Sequence, residues 1–131
     1  MLSKSTFDPF RLQRCEAGIS GGMSLIGTLF SLLAAILISL IGLAYGVLGL
    51  ELCILAAICA FLGGIFDSFL GSIMQRKNKC AVCGKITERD EHCGAPTERH
   101  SGLSFVDNDI VNLLSGIFSA VLAALVCYFV T

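Results

Sequence analysis

Charged residues vanish from two long stretches of the chain and nearly vanish from a third. Residues 17–50 and 110–131 carry none, and within residues 52–74 Asp67 is the single exception. A helix crosses the hydrocarbon core with roughly 20 apolar residues, so each stretch is long enough to span it. The first exceeds one bilayer thickness, and Gly42, Gly46 and Gly49 suggest where its helix ends. The pattern predicts a first span over residues 24–45, a tight turn over 46–50 and a second span over 51–74. A third is expected over 109–130, opened by Asp107 and Asn108, which suit a helix N-cap. The expected fold class is all-α integral membrane: three transmembrane helices with a cytoplasmic Cys/His loop between the second and third. Its parts are an N-terminal segment with a Gly-rich turn (1–21), a helical hairpin (22–74), the loop (75–108) and a last helix (109–131).

Composition agrees and adds orientation. Of 131 residues, 55% are hydrophobic and 15% charged, with a mean hydropathy of +0.82, well above the globular average. A net charge of -1 excludes a strongly basic nucleic-acid footprint, so no nucleic-acid partner is expected. Lys4, Arg11 and Arg14 precede the first span, and Arg76, Lys77, Lys79, Lys85, Arg89 and Arg99 lie between the second and third. Three spans put both basic segments on one side, which the positive-inside rule makes cytoplasmic. The expected setting is the cell membrane of a bacterium, with a cytoplasmic N-terminus and an external C-terminus. The loop is too short to build its own core, so something else must order it.

Four groups of residues carry candidate chemistry. A carboxylate in hydrocarbon is costly, so Asp67 should face a helix interface or a wet cavity, on a stripe with Gly63 or Gly64, Gly71 and Gln75. That stripe reads either as packing around one neutralised Asp or as a site for a cation or a head group. Asp107, Asp109 and Asn112 open the third helix, where hard oxygen ligands could hold a divalent cation or simply cap the helix. A glycine-rich turn, Gly18-Ile-Ser20-Gly21-Gly22-Met-Ser24, runs into the first helix and reads as a phosphate nest or as close packing. Finally, Cys80-Ala-Val-Cys83-Gly84 has the shape of a zinc knuckle, with His92 and Cys93 as further ligands and His100 in reserve. Free or redox-active thiols are the other reading. Cys15, Cys53, Cys59 and Cys127 read as small apolar residues.

Taken in order, these motifs resemble the transmembrane protein 19 family, an integral membrane family also designated domain of unknown function 92. Residues 18–28 look like its Gly-Thr-x-Gly-Gly-Val-Ser segment, and residues 63–75 carry the pattern Gly-x-x-x-Asp-Ser-x-x-Gly-x-x-x-Gln. Asp107-Asn108-Asp109-x-Val111-Asn112 completes the set, and the cysteine loop is similar to that of bacterial members. Family members are longer and carry a Gly-Asp-Thr-x-Ala-Ser-Glu motif upstream, so the chain resembles their C-terminal half. The family includes a plant phytyl-phosphate kinase, and its glycine segment looks distantly like that of CTP-dependent polyprenol kinases.

The resemblance implies phosphoryl transfer from a nucleoside triphosphate to an isoprenoid phosphate at the lipid bilayer. Asp67, Asp107, Asp109 and Asn112 would be catalytic, holding Mg²⁺ or orienting substrate. Gly21, Gly22, Ser24, Ser68 and Gln75 would bind substrate phosphate, and Cys80, Cys83, His92 and Cys93 would hold Zn²⁺. A missing N-terminal half or a second copy of the chain would complete the site. A non-catalytic membrane protein, a transporter subunit with an ion at Asp67, and a zinc-dependent assembly subunit remain alternatives.

Overall fold

The computed structural model describes residues 5–16 and 18–130; Lys4 and Ala17, used above, and the end residues Met1 and Thr131 lie outside them. Three helices, α1 (Leu25–Ala44), α2 (Leu50–Ile73) and α3 (Asn108–Val130), are long and apolar enough to cross a membrane. Their ends follow from local chemistry. Ser24 Oγ accepts from Gly27 N at 3.0 Å and caps α1, and Asp107 Oδ1 accepts from Ile110 N at 3.0 Å and caps α3. α1 closes in a Schellman motif: Gly46, at φ +69, donates to Leu43 O at 3.0 Å and Val47 donates to Gly42 O at 3.0 Å.

α2 packs along both other helices. Gly63 leaves room for the Ser119 side chain, Phe66 stacks on Phe118 at 4.2 Å between centroids, and Leu70, Val106 and Val111 form the buried cluster below the loop. Most other large side chains on the helices, such as Leu29, Ile38, Ile54 and Val121, are exposed on the protein and meet the bilayer.

The all-α expectation needs correction, because both polar segments form sheet. β1 (Ser5–Asp8) and β2 (Gln13–Glu16) make an antiparallel hairpin. Its turn is held by Asp8, whose Oδ1 accepts from Phe10 N at 3.0 Å and Arg11 N at 3.1 Å. The segment between α2 and α3 folds into β3 (Lys77–Cys80), β4 (Ile86–Thr87), β5 (Glu91–His92) and β6 (Ala95–Ser101), antiparallel in the order β4-β3-β6-β5. Backbone ladders satisfy a segment too polar to bury a core. The two ends of the sheet are joined where Arg76 N meets Val106 O at 2.8 Å and Leu103 N meets Met74 O at 2.9 Å.

The hairpin and the loop sit at the same end of the helices and share α2 as their support. Phe7 exchanges backbone hydrogen bonds with Met23 at 2.9 and 2.8 Å, and Phe10 meets the Phe69 ring edge-on at 5.1 Å. Gly21, at φ +87, lies so close to Ser72 that a Cβ there would overlap its backbone. Gly21→Ala is therefore expected to cost about 2–4 kcal/mol, from left-handed strain and overpacking together. Reversible unfolding in micelles measures it, with Gly64→Ala, which meets open space, as the unaffected control.

Candidate functional site

Three of the expected groups lie in or beside the polar cap, and they are distinct in space. The knuckle turn after β3 is closed by Gly84, whose N–H donates to Cys80 O at 2.9 Å with φ +72. Opposite it, His92 and Cys93 stand at a two-residue hairpin turn between β5 and β6. Its central residues, Cys93 and Gly94, have φ of 56 and 73, as a type I′ turn requires. The turn brings Cys93 Sγ and Cys83 Sγ to the same nitrogen, His92 Nδ1, at 3.2 and 3.5 Å.

One donor atom from each of Cys80, Cys83, His92 and Cys93 falls within 4.8 Å of the others. Thiolate bonds of about 2.3 Å set a tetrahedral ligand edge near 3.8 Å, so small side-chain shifts would bring these donors to a zinc-type centre. The electrostatics are those of thiols sharing protons. The backbone N–H of Cys83 draws the Cys80 thiol down to about 6, against burial and with help from His92 and the Val82 N–H. Cys93 is pushed up to about 11 by its hydrogen bond with Cys83, by burial and by the charge of the other thiolates. A bound cation would let every thiol ionise. His100, held in reserve as a ligand, is not among the four clustered donors and lines a larger cavity whose wall also includes Cys83.

Asp107, Asn108 and Asp109 line a cavity of about 180 Å³ together with Gln75, Arg76 and Glu88. Asp107 spends one carboxylate oxygen on its cap, and Asp109 stays exposed in the first turn of α3. Gln75 is only 2% exposed; its Nε2 donates to Glu88 Oε2 at 2.9 Å while its buried Oε1 has no partner. Asn112 has an exposed side chain, and its carbonyl lies 3.0 Å from Ser115 Oγ, as the alternative acceptor for that residue's one hydroxyl hydrogen. Asp67 is half-buried between α2 and α3 and accepts from Ser115 Oγ at 2.9 Å. Ser115 lies eight residues below Asp107, about 12 Å along the helix, so the structure keeps Asp67 apart from the acidic cavity.

The glycine-rich turn is occupied by its own chain. Ser20 N donates to Glu88 Oε1 at 2.7 Å, Gly22 N to Ile19 O at 3.2 Å and Met23 N to Phe7 O at 2.8 Å, which leaves none of these amides free for a phosphate. Gly22, Ser24 and Ser68 do line a common groove of about 170 Å³ at the start of α1, whereas Gly21 packs on Ser72.

Sequence reading passed over Glu88 and Asp8. Glu88 joins Ser20 to Gln75, yet it is one of several acids in a polar loop and no local spacing sets it apart. Asp8 followed by Pro9 was a legible turn signal.

The structure defines an integral membrane protein with a folded polar cap at one end of three spans. The chain belongs to the family described as integral membrane protein DUF92, whose profile matches residues 1–120. No solved structure matches it.

Glu88→Ala would leave the Ser20 N–H and the Gln75 amide unpaired in a half-buried setting. The expected loss is about 2–3 kcal/mol, seen as a lower unfolding midpoint and faster trypsin cleavage of the polar cap. Glu98→Ala, on an exposed position of β6, should change neither.

Proposed function

We propose that this chain is the membrane-embedded part of a phosphotransferase acting on an isoprenoid phosphate, corresponding to the C-terminal half of longer relatives. The supporting observation is the small cavity where Asp107, Asn108 and Asp109 face Glu88 and Gln75, whose buried Oε1 has no partner. Its donors are hard oxygens, which suit Mg²⁺. In this reading Asp107 and Asp109 would hold the ion, and the chemistry it would supply is charge neutralisation for phosphoryl transfer from a nucleoside triphosphate. Gln75 orients substrate oxygen through its amide, with Glu88 fixing that amide's direction. Asp67 acts as a positioning residue, joining α2 to α3 through Ser115. Gly22, Ser24 and Ser68 line the groove at the start of α1.

The test supplies an isoprenyl monophosphate and labelled nucleoside triphosphates to membranes carrying the chain, with and without the upstream half of a longer relative. Mg²⁺-dependent transfer of label is expected, and Asp109→Asn should lower it at least about a hundredfold while leaving insertion intact. Transfer unaffected by Asp109→Asn, or absent under both conditions, rejects this reading in favour of a non-catalytic membrane role.

The same reading gives the cysteine cluster a structural task on the cytoplasmic side, where thiols stay reduced. A zinc ion held by Cys80, Cys83, His92 and Cys93 would tie the β3–β4 turn to the β5–β6 turn. The support is the mutual approach of four ligand atoms from two turns. Purified protein never exposed to chelator should contain about one zinc per chain. Cys83→Ser should release it and expose the sheet to protease without disturbing the helices. Only trace zinc in the unaltered chain would disprove the assignment.

A further inference from the structure

A second and larger cavity lies between the N-terminal hairpin and the sheet, and neither the acidic site nor the cysteine cluster accounts for it. Its volume is about 580 Å³, within the range of small-ligand sites, and Arg11, Arg14, Lys77, Lys85 and His100 all line it. Among the described residues, Asp8 is the one carboxylate on its wall. That carboxylate is already engaged, with Oδ1 accepting from two backbone amides and Oδ2 accepting from Ser72 Oγ at 2.6 Å. Two arginines and two lysines therefore face, among the described residues, one occupied anion. Among the described residues the salt bridge present is Arg76 with Asp90, outside this cavity, so none of the four is in an ion pair.

Lys77 makes the imbalance specific. It is 6% exposed, and its Nζ donates to Ser72 O at 3.3 Å on the last turn of α2, leaving two of three ammonium hydrogens uncommitted. Burying a cation is costly unless an anion or several acceptors receive it. Burial, then Arg11, pulls the Lys77 pKa below its usual value, and the opposing pull of Asp8, Glu88 and Cys15 does not restore it.

We propose that this cavity is a binding site for a phosphate monoester group, received by Lys77 at its floor and by Arg11, Arg14 and Lys85 around its mouth. Guanidinium forks and ammonium groups suit the three terminal oxygens of a phosphomonoester, and a doubly charged group best matches the excess of cations. The volume exceeds a bare phosphate and leaves room for whatever carries it. Because the cavity adjoins the last turn of α2, at the end of the spans, either a lipid head group or a free phosphate can reach it. The Cys83-Gly84-Lys85 turn forms one wall, so order in the cysteine cluster also places Lys85. The site requires no phosphoryl transfer and uses none of Asp107, Asp109 or Gln75, so it stands or falls separately from that reaction.

The experiment uses the full chain in phosphatidylcholine nanodiscs. In one arm inorganic phosphate is titrated and followed by calorimetry. In the other the discs also contain phosphatidic acid or, as a diester control, phosphatidylglycerol, and bound lipid is read by native mass spectrometry. Saturable binding of phosphate, or of phosphatidic acid in preference to phosphatidylglycerol, supports the site and tells the free anion from the lipid monoester. Arg14→Gln and Lys85→Gln, both at exposed positions that should not disturb folding, are each expected to weaken binding about tenfold. Lys79→Gln, on the exposed face of β3 outside the cavity, should leave it unchanged. No saturable binding in either arm, or an equal loss with Lys79→Gln, overturns the proposal. Binding should persist in Asp109→Asn, whatever the outcome for transfer.

Discussion

The hydrogen bond between Ser72 Oγ and the Asp8 carboxylate, 2.6 Å long and sealed from solvent, organises the polar end of the molecule. Ser72 is 0% exposed and Asp8 4%, so each would leave a buried polar group stranded without the other. The same carboxylate closes the β1–β2 turn through two backbone amides, and the backbone of Ser72 receives Lys77 and packs on Gly21. One contact thus sets the hairpin, the glycine turn and the first strand of the loop relative to α2. A helix end inside lipid could not offer this. α2 must finish at the bilayer surface, where its final carbonyls can accept from groups outside the span.

The side chains just beyond α2 then serve two different cavities. Gln75 and Arg76 line the cavity shared with Asp107 and Asp109, and Lys77 lines the cavity shared with Arg11 and Arg14. Glu88 stands between them, bonded to Gln75 and to the Ser20 amide while pulling on Lys77 from a distance. Glu88 is thus a neighbour common to the acidic cavity and to Lys77.

The spans were legible because lipid imposes one strict rule on sequence: helical stretches long enough to cross, free of unpaired charge. Ser24, Gly46 and Asp107 then mark their ends by capping chemistry that local sequence does contain. The grouping of Cys80, Cys83, His92 and Cys93 was also readable from spacing, although the type I′ turn that makes His92 and Cys93 compatible was not, since it needs a non-glycine residue at positive φ. The sheet escaped because β6, Ala95–Ser101, has no apolar alternation; its order comes from backbone ladders and pinned ends, which leave no hydrophobic period. The cationic cavity escaped for another reason. Arg11 and Lys77 are far apart in sequence, and their basic character was fully used by the inference of membrane side.

Asp67 shows why a costly residue in a span need not belong to the chemistry at its mouth. Its carboxylate meets Ser115, whose hydroxyl is donated inward from α3, and Gly63 one turn away lets Ser119 approach the same interface. Apolar side chains gain nothing by leaving lipid for one another, so close backbone approach and a few polar bonds must hold α2 to α3. Asp67 is placed to do this, and the register it enforces brings Asp107 and Asp109 level with the end of α2. A slip of one turn on α3 would carry those carboxylates about 5 Å from Gln75 and Glu88 and open the acidic cavity to solvent. The membrane-buried Asp thereby governs the geometry of a site it never touches.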